Sequence, residues 1–146
     1  MRARAPKIHP VPQEHPLGCA VACVASLAEL SYASALRLFD EAEHAWTRGY
    51  YCSEVTSALR KLGFDYSYKV YDPLLHKRFL NHAGTIVFIG ACKAYPSGHF
   101  LLRSDEGWMN SWANFPRMIA VDAGFQQVLP ARVAYVIYPS RLARPN

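Results

Sequence analysis

The chain has 146 residues, of which 51% are apolar and 18% charged, which suits one globular domain with a single core. No apolar run approaches the roughly 20 residues of a membrane-spanning helix, and the basic N-terminal residues precede no secretory-type apolar segment. We therefore expect a cytoplasmic protein, or one that acts in a host cytoplasm if it is viral or injected. The formal charge of +5 is concentrated at the two ends and accompanies no nucleic-acid motif, so neither a nucleic-acid nor a membrane partner is predicted.

The first half of the chain has the apolar periodicity of helices. Prolines predict an extended arm over residues 1–12, and an apolar run predicts a helix over about 18–30. Apolar residues spaced three and four apart predict a second helix over 32–45. A third helix is predicted from the N-cap candidate Ser53 to Gly63, because glycine commonly terminates helices.

The second half changes to the alternating and all-apolar patterns of strands. A short helical piece at 74–80 interrupts them, and the apolar segment 84–90 is typical of a central strand. Residues 99–112 predict a β-hairpin with a polar, glycine-ended turn. Helices followed by strands predict a single α+β domain over 13–139, with N-terminal helices packed on an antiparallel sheet, and a flexible tail over 140–146. The predicted strands are 66–71, 84–90, 99–103, 108–112, 118–121, 125–129 and 132–138.

Cys19 lies where a predicted loop changes into a predicted apolar helix. Pro16 and Gly18 disfavour helix before this residue and small apolar residues follow it, so Cys19 is expected at a helix N-terminus. The helix dipole and the unpaired amides there lower the pKa of a thiol, which favours a nucleophile. The simpler interpretation is a small buried hydrophobe. The chain has neither a disulfide framework nor zinc-ligand spacing, so no metal or other cofactor is predicted from its cysteines, which are Cys19, Cys23, Cys52 and Cys92.

A second group of candidate residues lies in the predicted hairpin. His99 begins one strand and Asn110 lies on the returning strand, so the short turn makes them diagonal neighbours on one face. Asn110 is then able to orient the imidazole of a general base, and Trp112 on the same face is able to shield their bond from water. Gln13, six residues before Cys19, is able to bring its amide beside the Cys19 amide and form an oxyanion hole.

Loop residues close in sequence to this pair are candidates for contact with substrate. Glu14 and His15 are further candidates for the entrance of the cleft. Taken alone, each candidate is better explained as an ordinary strand, turn or surface residue, and it is their combination in this order that favours a site. The residues predicted to line the cleft are Tyr95, Pro96, Ser97 and Trp112.

The combination resembles the papain-like cysteine peptidase superfamily, and most of all the compact bacterial peptidases that process double-glycine leader peptides. Gln13 and Cys19, with Cys23 four residues further on, are similar to that family's arrangement of one glutamine and two cysteines. Residues 98–102, in which an apolar strand follows glycine and histidine, resemble its histidine motif. Residues 110–112 resemble the Asn-Ser-Trp of papain.

This resemblance covers residues 13–138 and implies a papain-like fold. It implies that Cys19 is the nucleophile and His99 the general base and acid. It also implies that Asn110 orients the imidazole and that Gln13 is an oxyanion donor. The expected function is a cysteine peptidase that acts on a peptide or protein substrate. The alternatives are an acyl-transfer enzyme on the same triad, such as an amidase, deamidase or transglutaminase, or a catalytically silent module that binds a peptide or protein.

The sequence departs from the family's pattern at three points. Ala20 follows the cysteine where the leader-processing enzymes usually have glycine. Their third catalytic residue is usually Asp followed by Pro, whereas here it is either Asn110 or Asn114, of which the short hairpin favours Asn110. The spacing between His99 and Asn110 is also shorter than in papain. No transporter domain follows within the chain, so the leader-processing role itself is not expected.

Overall fold

The computed structural model describes residues 7–144, so the predictions for residues 1–6 of the arm and 145–146 of the tail lie outside it. Within this range, helices precede a sheet that one further helix interrupts. The helices are α1 (Cys19–Ala28), α2 (Tyr32–Leu36), α3 (His44–Thr47), α4 (Cys52–Lys61) and α5 (Pro73–His76), with 3-10 turns at Lys77–Asn81 and Ser140–Ala143. The strands are β1 (Tyr66–Val70), β2 (Ile86–Ile89), β3 (His99–Ser104), β4 (Gly107–Asn110), β5 (Gly124–Gln126) and β6 (Val133–Pro139).

The strands of the described residues form one antiparallel sheet in the order β1-β6-β2-β3-β4-β5. The all-apolar strand β2 lies between β6 and β3, inside the sheet as predicted. The predicted hairpin is β3–β4, in which Leu102 pairs with Met109 across a turn at 105–106. The predicted α+β architecture, with helices before an antiparallel sheet, is confirmed.

Each face of the sheet packs against a different part of the chain. On one face, α1 lies between the sheet and the other helices and is buried from Cys19 to Leu27. Its small apolar residues allow this close packing, and they leave α1 without a polar face. On the other face, Phe79 of the first 3-10 turn packs with Val87, Leu101 and residues of β6. The first face therefore carries Cys19 into the junction between helix and sheet.

The start of α4 differs from the prediction by a few residues. The predicted N-cap Ser53 is wrong, because the helix begins earlier with Tyr51 as its N-cap. The Glu54 carboxylate reaches back and accepts a hydrogen bond of 2.9 Å from the Tyr51 amide, which satisfies an end group of the helix. The helix ends before Gly63, whose φ of +86° is the left-handed conformation that terminates helices.

The predicted helix over 32–45 is wrong, because two short helices, α2 and α3, occupy this range with turns between them. The side chain of Phe39 turns into the core and packs on Tyr50 with ring centroids 4.4 Å apart. The Leu38 carbonyl accepts a hydrogen bond of 2.7 Å from Lys61 Nζ of α4, so a residue from a distant helix is its partner. Tertiary contacts thus override the helical periodicity of this segment.

The predicted strand over 118–121 is also wrong, because these residues lie in an irregular loop with a turn at 119–120. The Asn114 side chain closes the loop on itself. Its Nδ2 donates to the Ala120 carbonyl at 2.9 Å, and its Oδ1 accepts from the Asp122 amide at 2.8 Å. The predicted strand over 125–129 corresponds to β5, which is shorter and begins earlier.

The described ends of the chain contact the domain. Ile8 is buried against the core, and the Ser26 hydroxyl donates to the His9 carbonyl, so residues of the predicted arm lie on α1. At the other end, the Ser140 amide donates to the Asp65 carbonyl at 2.9 Å. None of the helices in the described range combines the length and apolar character needed to cross a bilayer.

Candidate active site

Cys19 is the first residue of α1, as the sequence predicts. Gly18 precedes it against the Tyr32 hydroxyl, so a side chain at this position would overlap the phenol. The first helical hydrogen bond runs from the Ala22 amide to the Gly18 carbonyl, so the amides of the first turn have no partner within the helix. The Phe100 amide of β3 donates to Cys19 Sγ at 3.4 Å. The sulfur therefore lies where the helix N-terminus meets the sheet.

His99 and Asn110 form a direct hydrogen bond at the open end of the hairpin. The register of β3 and β4 makes them diagonal neighbours on one face, and 2.8 Å separates His99 Nε2 from Asn110 Oδ1. Both side chains are buried, with exposed fractions of 2% and 1%. Their bond is therefore shielded from water.

Four hydrogen bonds fix the orientation of the Asn110 amide. Its Oδ1 also accepts from the Trp112 amide at 2.9 Å, a group that is only a donor. Its Nδ2 donates to the Tyr95 hydroxyl and to Gln126 Oε1, both at 2.8 Å. Because Oδ1 accepts, His99 Nε2 must carry a proton, and in the neutral ring Nδ1 is then the basic nitrogen.

A turn folds Tyr95 onto the imidazole. The Gly98 amide donates to the Tyr95 carbonyl at 2.9 Å, and Gly98 has φ of +76°. A Cβ on Gly98 would approach the Ile89 carbonyl oxygen to 2.7 Å, so the turn requires glycine here for both conformation and space. The Tyr95 and His99 rings stack with centroids 4.0 Å apart and planes 7° apart. Tyr95, rather than Trp112, thus covers the face of the imidazole.

A cleft of about 370 Å³ lies beside the helix N-terminus and the β3–β4 hairpin. Cys19 and His99 line it, together with all the residues that the sequence predicts as lining, Tyr95, Pro96, Ser97 and Trp112. A neighbouring hollow of about 270 Å³ shares several walls with the cleft, and its lining is mainly aromatic. The walls common to both are Tyr50, Tyr51, Phe88 and Phe100.

Gln13 lies in the loop before α1, but its amide bonds to the loop itself. Gln13 Nε2 donates to the carbonyls of His15 and Pro16 at 3.0 and 3.1 Å. Its Oε1 accepts from the Ser111 hydroxyl at 2.8 Å. Both amide hydrogens are thus in use in this structure, and the side chain links the Cys19 loop to the strand that carries Asn110.

Burial keeps the thiol and the imidazole uncharged. Desolvation raises the pKa of Cys19 to about 11, although the amides of Phe100, Ala20 and Cys19 itself favour the thiolate. Desolvation lowers the pKa of His99 to about 4, against the smaller opposing effect of its bond to Asn110. The sequence predicted a lowered thiol pKa from the helix N-terminus, and burial reverses that direction. No hydrogen bond joins Cys19 Sγ to the imidazole among the described residues.

Other predicted positions have different contacts. Asn114 bonds within its own loop, as described above. His15 Nδ1 lies 3.0 Å from the Tyr32 hydroxyl, and neither His15 nor Glu14 lines the cleft within residues 7–144. Sequence reasoning did not identify Gln126, because its contact with Asn110 depends on β5 pairing with β4 after a long loop.

One cluster of potential metal ligands lies outside the cleft lining. Among residues 7–144, Glu41, Glu43 and His44 bring ligand atoms within 4.8 Å of one another. Both carboxylates are exposed, and His44 Nδ1 also lies 3.4 Å from Glu54 Oε2. Clusters of this kind are common without an ion.

No protein-family model and no curated protein matches the sequence. Among solved structures, the chain is similar to the peptidase domain of Streptococcus ComA, a bi-functional ABC transporter involved in a quorum-sensing pathway. The match has a TM-score of 0.57 and 18% sequence identity, and it covers 88% of this chain and 94% of that chain. The chain therefore has the fold of a papain-like cysteine peptidase domain, as its sequence resemblance implied.

Proposed function

We propose that this protein is a cysteine peptidase in which Cys19 is the nucleophile, His99 the general base and acid, and Asn110 the residue that orients His99. The observation that carries the proposal is the 2.8 Å bond between His99 Nε2 and Asn110 Oδ1, in a cleft that Cys19 also lines. This bond leaves His99 Nδ1 as the proton acceptor. A buried imidazole with one fixed basic nitrogen, in the same cleft as a helix-terminal thiol, suits acyl transfer.

In the proposed reaction, the thiol and the imidazole are both neutral before substrate binds. As Cys19 Sγ attacks the carbonyl carbon, its proton passes to His99 Nδ1, and the C=O π electrons move to the oxygen. The imidazolium then protonates the leaving nitrogen, and the C–N bond breaks to give a thioester. His99 next takes a proton from water, the hydroxide attacks the thioester carbon, and the thiol leaves with that proton. The missing bond between Sγ and the ring requires the two groups to come together on substrate binding, as is common in free enzymes.

Stabilisation of the oxyanion needs donors close to the sulfur. The Cys19 amide is the first donor that we propose, because it belongs to the unpaired first turn of α1. We propose Gln13 as the second donor, although both of its Nε2 hydrogens already bond to loop carbonyls. Its Nε2 must exchange one loop carbonyl, that of His15 or Pro16, for the oxyanion. We therefore expect Gln13 to contribute less than a donor that is free before the reaction.

The substrate that we propose is a peptide or protein chain. The cleft is lined mainly by aromatic and apolar side chains and extends into the aromatic hollow beside it, which suits an extended peptide with apolar side chains. The fold shared with a peptidase domain points in the same direction. We propose that the protein acts on its substrate without a cofactor.

The test is a digest of a proteome-derived peptide mixture, analysed by mass spectrometry for new termini. We expect wild-type protein to generate fragments with a common cleavage pattern, and Cys19→Ala to generate none. Ser67→Ala is a matched control. Ser67 lies on the edge strand β1, its hydroxyl bonds to that of Ser140, and it does not line the cleft among the described residues. Products heavier by about one dalton would indicate a deamidase instead of a peptidase, and cross-linked chains would indicate a transglutaminase. Identical spectra for wild type and Cys19→Ala would overturn the enzyme proposal.

A further inference from the structure

Tyr95 lines the cleft and also contacts both members of the proposed catalytic pair, His99 and Asn110. Its ring stacks on His99, and its hydroxyl accepts from Asn110 Nδ2 at 2.8 Å. The same hydroxyl donates to the Trp112 carbonyl at 2.7 Å. One side chain therefore contacts both members of the pair and the turn that follows Asn110.

The hydroxyl of Tyr95 has no freedom in this network. An Asn110 amide nitrogen is only a donor and the Trp112 carbonyl only an acceptor, so the hydroxyl must accept from one and donate to the other. Asn110 has no spare hydrogen either, because its second Nδ2 hydrogen goes to Gln126 Oε1 at 2.8 Å. Removal of the hydroxyl thus leaves a buried donor and a buried acceptor without their partner.

The ring of Tyr95 acts on His99 in a second way. Parallel planes at 4.0 Å leave no room for the imidazole to rotate about its Cβ–Cγ bond without displacing the phenol. An aromatic face also attracts a cation, so the stack favours the imidazolium that forms during acyl transfer. The turn at Gly98 sets this stack, because it returns the chain to β3 four residues after Tyr95.

We propose that Tyr95 is a positioning residue of this site, whose ring fixes the plane of the His99 imidazole and whose hydroxyl holds the Asn110 amide in place. The inference rests on the proposed function for its catalytic meaning. Its structural part, the control of the His99 ring by Tyr95, is measurable without any substrate. This assignment differs from the substrate contact that the sequence predicts for Tyr95.

The experiment is NMR of the ¹⁵N-labelled full chain, with the His99 signals assigned from their loss in His99→Gln. In wild type we expect the tautomer with hydrogen on Nε2, slow exchange of that hydrogen with water, and a nuclear Overhauser contact between the Tyr95 and His99 rings. Tyr95→Phe keeps the ring and removes the hydroxyl, and we expect its Nε2–H exchange to be about tenfold faster. Tyr95→Leu removes both, and we expect about hundredfold faster exchange.

The matched control is Tyr66→Phe, which removes a buried hydroxyl that donates to the Gly84 carbonyl at 2.8 Å on the same sheet. We expect this variant to leave His99 exchange within about twofold of wild type, because Tyr66 contacts neither member of the pair. Equal changes in Tyr95→Phe and Tyr66→Phe, or no change in either, would show that Tyr95 has no specific effect on His99. The absence of the ring contact in wild type would overturn the proposal even if the variants failed to fold.

Kinetics then separate positioning from substrate contact. On a peptide cleaved in the digest described above, we expect Tyr95→Phe to lower kcat about tenfold and leave KM unchanged, since the ring that lines the cleft is retained. A changed KM with an unchanged kcat would return Tyr95 to the role of substrate contact. If wild type cleaves no peptide, the peptidase proposal fails, while the NMR result on Tyr95 and His99 still stands or falls by itself.

Discussion

The two sides of the cleft differ in whether their candidate catalytic groups already bond to one another. On the sheet side, all four hydrogen-bonding positions of the Asn110 amide have partners, and one of these partners is His99. On the helix side, Cys19 is a buried neutral thiol, and the Gln13 amide bonds to its own loop. In the proposed reaction the sheet side therefore keeps the hydrogen bonds that it already has, whereas the helix side must change its protonation and its hydrogen bonds.

This difference indicates that a general base benefits more from a rigid position than a nucleophile does. A general base must hold one nitrogen in place through several proton transfers, which favours a closed network on strands. A nucleophile must lose a proton and form a bond, and a thiol that is neutral at rest is less exposed to oxidation and alkylation. Substitutions on each side of the cleft test this difference.

Removal of the proposed nucleophile is the most severe change to the helix side. We expect Cys19→Ala to lower peptide cleavage by at least about 10³-fold, since no thioester forms without the sulfur. Cleavage is measured on the peptides found in the digest. Cys23→Ala is the matched control on the same helix, and its activity is expected to remain. Turnover by Cys19→Ala above this limit would contradict the assignment of the nucleophile.

Removal of the proposed orienting amide disrupts the hydrogen bonds of the sheet side. We expect Asn110→Ala to lower kcat about 100-fold, because the His99 ring loses its acceptor and buried groups lose their partners. Asn114→Ala removes a similar amide from an exposed loop, and we expect a change within about threefold. Steady-state kinetics decide between them. The reverse order of effects would transfer the orienting role to Asn114.

Acid should destabilise the sheet side through His99. Burial holds its pKa at about 4, below the ordinary 6.5, so between these values the unfolded chain binds a proton that the folded chain does not. Stability is therefore expected to decrease as the pH falls through this range, by about 2 kcal/mol from this residue between pH 7 and pH 4.5. Urea unfolding at pH 7 and pH 4.5 measures it. His99→Gln should remove this part of the pH dependence, and an unchanged dependence would mean that His99 is not held neutral.

The smallest effect is expected at Gln13. If its amide exchanges a loop carbonyl for the oxyanion, Gln13→Ala should lower kcat about tenfold, less than the loss of a free oxyanion donor. Ser111→Ala removes the partner of Gln13 Oε1 and leaves both Nε2 bonds, so it is a control for loop stability. Equal losses of kcat in both variants would assign Gln13 to loop structure alone.

The sequence predicted the parts of the site that depend on short-range geometry. A two-residue turn brings His99 and Asn110 onto one face whatever else the chain does, because strand register follows from the turn. The change from Gly18 to an apolar run likewise predicted that Cys19 begins a helix. The interrupted second helix was not predictable in the same way, because Phe39 and Leu38 respond to partners far along the chain.

Sequence by itself thus determined that helices precede the sheet, the hairpin and the start of α1, since each follows from periodicity or turn chemistry within about a dozen residues. Only the tertiary structure decided the charge state of Cys19, because burial depends on everything packed around the sulfur. It also decided that Gln13 bonds its own loop, that Gln126 reaches Asn110, and that Tyr95 covers His99. These contacts depend on packing and side-chain direction, and residue spacing along a chain specifies neither.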